Sequence, residues 1–132
     1  MAESRREPII RTVPQPADMN GNGDIFGGWV LSQMDTAGGQ LAGRIAKGRV
    51  ATVAITAMTF VEPIKVGDLV SIYGEVAKIG RTSVTIDLET VVQRRHDSTD
   101  IRVTHGTFVF VAIDEEGKPR QVPHQLEATQ TA

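Results

Sequence analysis

Between Val30 and Ile45 the apolar residues Val30, Met34, Ala37, Leu41 and Ile45 recur at three- to four-residue intervals. That spacing lays a continuous apolar stripe along a helix, entered through the glycine-rich turn that begins at Asn20 and ending near Lys47. Asp24 is the expected N-cap, because its carboxylate can accept from the free amides of a first helical turn. Lys47 followed by Gly48 is the expected stop, a cation near the negative end of the dipole and then a residue that tolerates positive φ. Downstream the hydrophobic period shortens to two. Arg49 to Val61 reads as a strand with Val53, Ile55 and Ala57 on one face and Thr52, Ala54, Thr56, Met58 and Phe60 on the other. Val66-Gly67-Asp68 is a turn, and a second strand follows from Leu69 to Ile79 with Val70, Ile72 and Val76 sharing a face. The third alternates Val84, Ile86, Leu88 and Val92 inward against Thr85, Asp87 and Glu89 outward. A polar hairpin loop from Gln93 to Asp100 leads into the last strand, Ile101 to Ile113. There both alternating sets turn apolar from Phe108 onward, so both faces require cover. A short strand-like run, Ile9 to Val13, precedes the helix and is ended by Pro14 and Pro16.

One long helix, a short strand before it and four long strands after it define an α+β domain, an antiparallel sheet wrapped around a central helix. Short connections favour pairing of strands in sequence order. The strands carry more apolar surface than one helix can cover, so self-association, most simply a two-fold dimer, is expected. The 132 residues suffice for a single domain, 1–132, with residues 1–8 and 124–132 expected as frayed tails. Cysteine is absent, which excludes disulfides, thiolate metal sites and cysteine nucleophiles. The opening MAESRREP has no apolar core and no stretch is long enough to span a bilayer, so a soluble cytoplasmic protein with no membrane partner is expected. A formal charge of -2, with no alternation of basic and aromatic residues, argues against a nucleic-acid partner. His96, His105 and His124 lack ligand spacing, so no metal is expected. Phosphate-binding loop, dinucleotide fingerprint, nucleophile elbow and zinc-protease motifs are all missing.

Candidate chemistry then narrows to the helix. Gly38, Gly39 and Gly43 lie inside it, each costing about 1 kcal/mol relative to Ala, and close approach of another backbone or a ligand would offset that cost. Steps of three, four and seven residues from Asp35 collect Gly28, Leu31, Ser32, Gly38, Gly39 and Ala42. A lone carboxylate on so small-sided a face is a poor solvated charge. It is either a functional group or a hydrogen-bond partner for a neighbouring strand.

Asn20, Gly23, Asp24, Phe26-Gly27-Gly28-Trp29 and Met34-Asp35 together form a pattern that resembles the hot-dog fold acyl-CoA thioesterases and suggests the bacterial YciA-like group. Further matching blocks are Gly48-Arg49-Val50, Met58 to Pro63, Val66-Gly67-Asp68, Gly80 to Ser83 and Phe110-Val111-Ala112, in order from about Ile10 to Pro123. The resemblance implies a hot-dog fold and hydrolysis of an acyl-CoA thioester to a free acid and CoA, with no cofactor. It implies that Asp35 acts as base or nucleophile and that Asn20 positions the thioester or water. The amides of Gly27 and Gly28, at the positive end of the helix, suit an oxyanion.

Gly28 and Asp35 are seven residues apart, about 10 Å along the helix axis. One helix cannot easily bring both to one reacting carbonyl, which needs each within roughly 3 Å. If both are catalytic, Asp35 comes from one subunit and the glycine amides from the other. The resemblance likewise implies shared sites, and dimers that trimerise into hexamers. For the phosphates of CoA, Arg81 with Thr82 and Ser83 forms a compact candidate, with Phe26 and Arg49 as further substrate contacts and Lys118 and Arg120 as others by analogy. Two rivals share the fold: a non-catalytic acyl-CoA-binding or sensing module, which leaves Asp35 unused, and a hydratase, which needs a histidine working with a carboxylate. His105 is the only strand histidine.

Overall fold

The computed structural model describes residues 6–123. It contains β1 (Ile10–Thr12), a short 3-10 helix (Pro16–Asp18), α1 (Gly27–Ala46), β2 (Val50–Phe60), β3 (Leu69–Ile79), β4 (Ser83–Gln93) and β5 (Asp100–Ala112). The strands form one antiparallel sheet in the order β1-β3-β4-β5-β2, and α1 packs across it. The three consecutive strands β3, β4 and β5 pair as short connections dictate, whereas β2 does not pair with β3. It lies on the far edge beside β5, because residues 61–68 cross back past the start of the helix, where the Ile25 amide donates to the Ile64 carbonyl at 2.9 Å. The 3-10 helix was not foreseen from the prolines that end β1.

Val30, Met34 and Ala37 are buried as the stripe requires, while Leu41 and Ile45 are half-buried and Ala42 and Ala46 take the deeper positions. Opposite them lie Val70, Ile72, Val84, Ile86, Leu88, Val92, Phe108 and Phe110. Gly38 explains one of the helical glycines. A Cβ there would stand 2.8 Å from the Phe110 ring and 2.9 Å from Leu88 Cδ1, so its absence lets the sheet close on the helix. Gly39 has no such crowding, its nearest side-chain atom being 3.9 Å from a built Cβ.

Both helix ends differ from expectation. The N-cap is Phe26, without a side-chain cap; Asp24 instead forms an ion pair with Lys65. That tie fixes the glycine-rich turn to the β2–β3 connection, and the Asp24 carboxylate is no longer free to cap. At the other end Lys47 itself adopts the left-handed conformation, φ 53°, and Gly48 donates to the Gly43 carbonyl. The glycine therefore follows the positive-φ position instead of occupying it.

Strand β2 departs from simple alternation. Thr52 pairs with Phe110 and Ala54 with Val109, so Val53 is an extra residue, and a second irregularity lies between Thr56 and Thr59, where Ala57 has φ 50°. After the first bulge Ile55, paired with Phe108, follows Thr52 on the helix side, so the expected faces hold only piecewise. Val76 shares the register face of Val70 and Ile72 but lies 37% exposed before a bulge at Ala77. Residues 6–8, expected to fray, lead into the sheet: Arg6 pairs with Glu89 at 2.9 Å and lies over the Tyr73 ring, and the Ile9 amide donates to Ile72. The other expected tail residues, 1–5 and 124–132 with His124, lie outside the described residues. Among the described residues no helix is long and apolar enough to cross a membrane.

Candidate active site at the helix and its edge strand

Asp35 is half-buried on α1, one residue after the fully buried Met34. The Thr52 hydroxyl of β2 donates to its Oδ1 at 2.6 Å, and Oδ2 has no donor among the described residues. The carboxylate is thus held by a neighbouring strand through one oxygen only. Thr36, the next residue in the helix, donates its own hydroxyl to the Ser32 carbonyl at 3.0 Å.

Asn20 closes the turn ahead of the helix. Its side-chain oxygen accepts from the amides of Asn22 and Asp24 at 2.8 and 3.2 Å, and its own amide donates to the Asp24 carbonyl. Its side-chain NH₂ has no acceptor among the described residues. The helix then begins with exposed Gly27 and Gly28, whose amides find no acceptor among the described residues. Asn20 and Gly27 border one hollow of about 300 Å³, walled by Val30, Phe60, Val103 and Thr104. Phe26 stands half exposed at the helix start. Within one chain, then, Asn20, Gly27, Gly28 and Phe26 gather at the helix N-terminus, while Asp35 lies about two turns along with Thr52.

Arg81 and Thr82 lie at the opposite end of the helix direction, in the β3–β4 turn, and Ser83 begins β4. The Thr82 carbonyl accepts from Ala112 and the Arg81 carbonyl from Val122, so the backbone is pinned while the Arg81 side chain is exposed. Arg49 reaches the same end but donates to the carbonyls of Asp114 and Glu115 at 3.4 and 3.3 Å, clamping the turn after β5. Arg120, beside Gly48, donates through Nε to the Ile113 carbonyl at 3.0 Å. Lys118 is exposed in that turn. These cations share an end of the sheet, away from the helix N-terminus, with Asp114, Glu115 and Glu116 of the turn after β5.

Sequence reasoning missed Thr52 as the partner of Asp35. Its hydroxyl faces the helix only because of where β2 lies in the sheet, and no local pattern announces that. A wider hollow of about 550 Å³ on the other face of the sheet is bordered by Tyr73, Glu75, Asp87, Glu89, Arg102 and His105. Its walls are tied by Arg6–Glu89 and Arg102–Glu89 ion pairs, and no expected catalytic residue borders it. His105 lies on this face, away from Asp35. Among the described residues no group of three or more His, Asp or Glu side chains could hold a metal ion.

Residues 22–98 match the family model of the thioesterase superfamily. The chain is 47% identical over 118 residues to the acyl-CoA thioester hydrolase YciA of Escherichia coli, covering 87% of this chain and 89% of that protein. Its fold superposes on a hexameric thioesterase from Yersinia pestis with a TM-score of 0.85, at 46% identity over 90% of this chain and 97% of that one. A hexameric hotdog fold thioesterase of Campylobacter jejuni gives a TM-score of 0.87 at 33% identity, over 96% and 98% of the two chains. The chain belongs to the thioesterase superfamily and has the hot-dog fold.

Proposed function

We propose that the protein hydrolyses acyl-CoA thioesters to a free carboxylic acid and CoA. The observation that carries this reading is Asp35, a half-buried carboxylate fixed through one oxygen and open at the other. The relatives' activity supports it: the protein of E. coli at 47% identity is an acyl-CoA thioester hydrolase. A binding or sensing module would have no use for such a group.

In the reaction the thioester carbonyl sits against the amides of Gly27 and Gly28. Their free hydrogens and the positive end of α1 stabilise the negative charge that grows on its oxygen. Asn20 orients the thioester or the water through its side-chain NH₂. Asp35 supplies the base that deprotonates water, or attacks the carbonyl itself. The carbon–sulfur bond breaks, the CoA thiolate leaves and takes up a proton, and water supplies the oxygen of the acid. Arg81, with the Thr82 and Ser83 hydroxyls, receives a CoA phosphate, and Phe26 borders the acyl or pantetheine arm. Arg49 shapes that end through its clamp on the following turn.

The site is shared between two copies. Within a chain Gly28 and Asp35 are about 10 Å apart along the helix, too far to serve one carbonyl. Edge strand β2 exposes Val53, Ile55 and Phe60 at 57%, 38% and 55%, an open apolar edge that a second copy would cover. A two-fold dimer joined there carries Asp35 of one copy towards the glycine amides of the other. Three such dimers make a hexamer, in keeping with the hexameric relatives from Y. pestis and C. jejuni. No cofactor takes part, and the protein works in the cytoplasm.

The reading is tested by free-thiol release with acyl-CoAs from acetyl to palmitoyl, comparing wild type with Asp35→Asn. Turnover that falls at least a hundred-fold or so in a folded variant supports it. Wild type that binds acyl-CoA and releases no thiol leaves the binding module in its place.

A further inference from the structure

Lys65 and Asp24 form an ion pair that joins the crossing segment before β3 to the glycine-rich turn before α1. Stability does not account for it. The two side chains are 50% and 27% exposed, and pairs so placed contribute little. The turn is already held by backbone bonds, from the Ile25 amide to the Ile64 carbonyl at 2.9 Å and from the Phe26 amide to the Asp18 carbonyl at 3.0 Å. Lys65 itself stands on a fixed loop. Its amide donates to the buried Asp68 carboxylate at 2.8 Å, and Arg94 holds both that carboxylate and, at 3.1 Å, the Pro63 carbonyl. The lysine stem therefore leaves from a backbone that does not move with the turn.

Asp24 stands three residues ahead of Gly27 and borders the same hollow as Asn20 and Gly27. A carboxylate so placed works against an oxyanion in two ways. Its charge repels the charge growing on the thioester oxygen, and its oxygens compete for the free amides of the first helical turn. Lys65 counters both, because α1 has no side-chain cap and the Asp24 carboxylate is drawn to the ammonium instead. Glu62 borders the hollow too, but it is exposed, where water and salt screen its charge. We propose that Lys65 is the counter-ion that keeps Asp24 from opposing the oxyanion, holding the carboxylate off the Gly27 and Gly28 amides and offsetting its charge. The inference rests on the thioesterase reading and adds to it the residue that leaves the oxyanion site free. Lys65 does not touch the reacting atoms; it is a positioning residue that acts through Asp24.

Lys65→Met keeps an unbranched stem and removes the ammonium, so the fold is expected to survive. Its kcat for acyl-CoA falls about three- to ten-fold, the effect of one uncompensated charge at a partly exposed site, with KM within about two-fold of wild type. Lys65→Arg, which keeps the charge, stays within about two-fold of wild-type kcat. The double variant decides the matter. Asp24→Ala in the Lys65→Met background restores kcat to within about two-fold of wild type, because the charge that required a partner is gone. Asp24→Ala alone loses no kcat. A mere tether between loop and turn gives the opposite pattern, in which either single variant is slow and the double one is no faster. That pattern overturns the inference, as does full kcat in Lys65→Met or equal rescue of it by Glu62→Ala. Those outcomes leave the thioesterase reading standing. Absence of thiol release from wild type would instead remove that reading and this inference together.

Discussion

Gly38 of the helix lies against Phe110 of β5 so closely that a Cβ would stand 2.8 Å from the ring, with Leu88 Cδ1 at 2.9 Å on the other side. Phe110 is 1% exposed, and so has no room to withdraw. Gly38→Ala should therefore lose about 1–3 kcal/mol of stability through overpacking, more than the gain of about 1 kcal/mol in helix propensity returns. Gly39→Ala, next in sequence and uncrowded, should show that gain without the loss. Denaturant unfolding of both variants checks the contrast, and equal effects would mean that packing against the sheet is not what Gly38 serves.

Thr90 is fully buried on β4 and its hydroxyl has no hydrogen-bond partner among the described residues. Opposite it, Thr104 has used its own hydroxyl on the Thr59 carbonyl. Replacing an unpaired buried hydroxyl by a methyl of similar size removes a desolvation cost. Thr90→Val should raise the unfolding free energy by about 1 kcal/mol, read as a higher denaturant midpoint at unchanged slope.

Mixed chains test the division of the site. If Asp35 and Asn20 act on one thioester from different subunits, chains carrying Asp35→Ala refolded together with chains carrying Asn20→Ala form mixed dimers with one intact site. Random pairing then restores about a quarter of wild-type activity, since half the dimers are mixed and one of their two sites is whole. Activity no higher than that of the two variants measured apart would place both residues in the same subunit's site.

Arg81 can be separated from the chemistry by the choice of substrate. Arg81→Ala should raise KM for acyl-CoA about five- to twenty-fold, the effect of losing a charge-assisted contact to phosphate. KM for a short acyl-pantetheine, which lacks the nucleotide phosphates, should hardly move. An equal rise for both substrates would assign Arg81 to the turn instead of the ligand.

Where contacts are local, the chain announced its structure. The 3.6 period marked α1 to within a few residues, and the period of two marked β3, β4 and β5 with Val84, Ile86 and Leu88 inward as found. The matching blocks around Asn20 and Asp35 carry the family resemblance in the sequence alone. Each rests on neighbours a few residues apart, where side-chain direction follows from backbone geometry alone.

What the chain alone left undetermined are the contacts between distant residues. The crossing that sends β2 to the edge beside β5, the bulge at Val53 and the ion pair that takes Asp24 away from the helix cap all depend on partners dozens of positions away. So does the contact between Thr52 and Asp35, seventeen residues apart in sequence and joined only because α1 lies over the edge strand. Local periodicity and the matching blocks mark the elements and single out Asp35 as the candidate carboxylate, but not what holds it, because a hydrogen bond between elements follows from their packing.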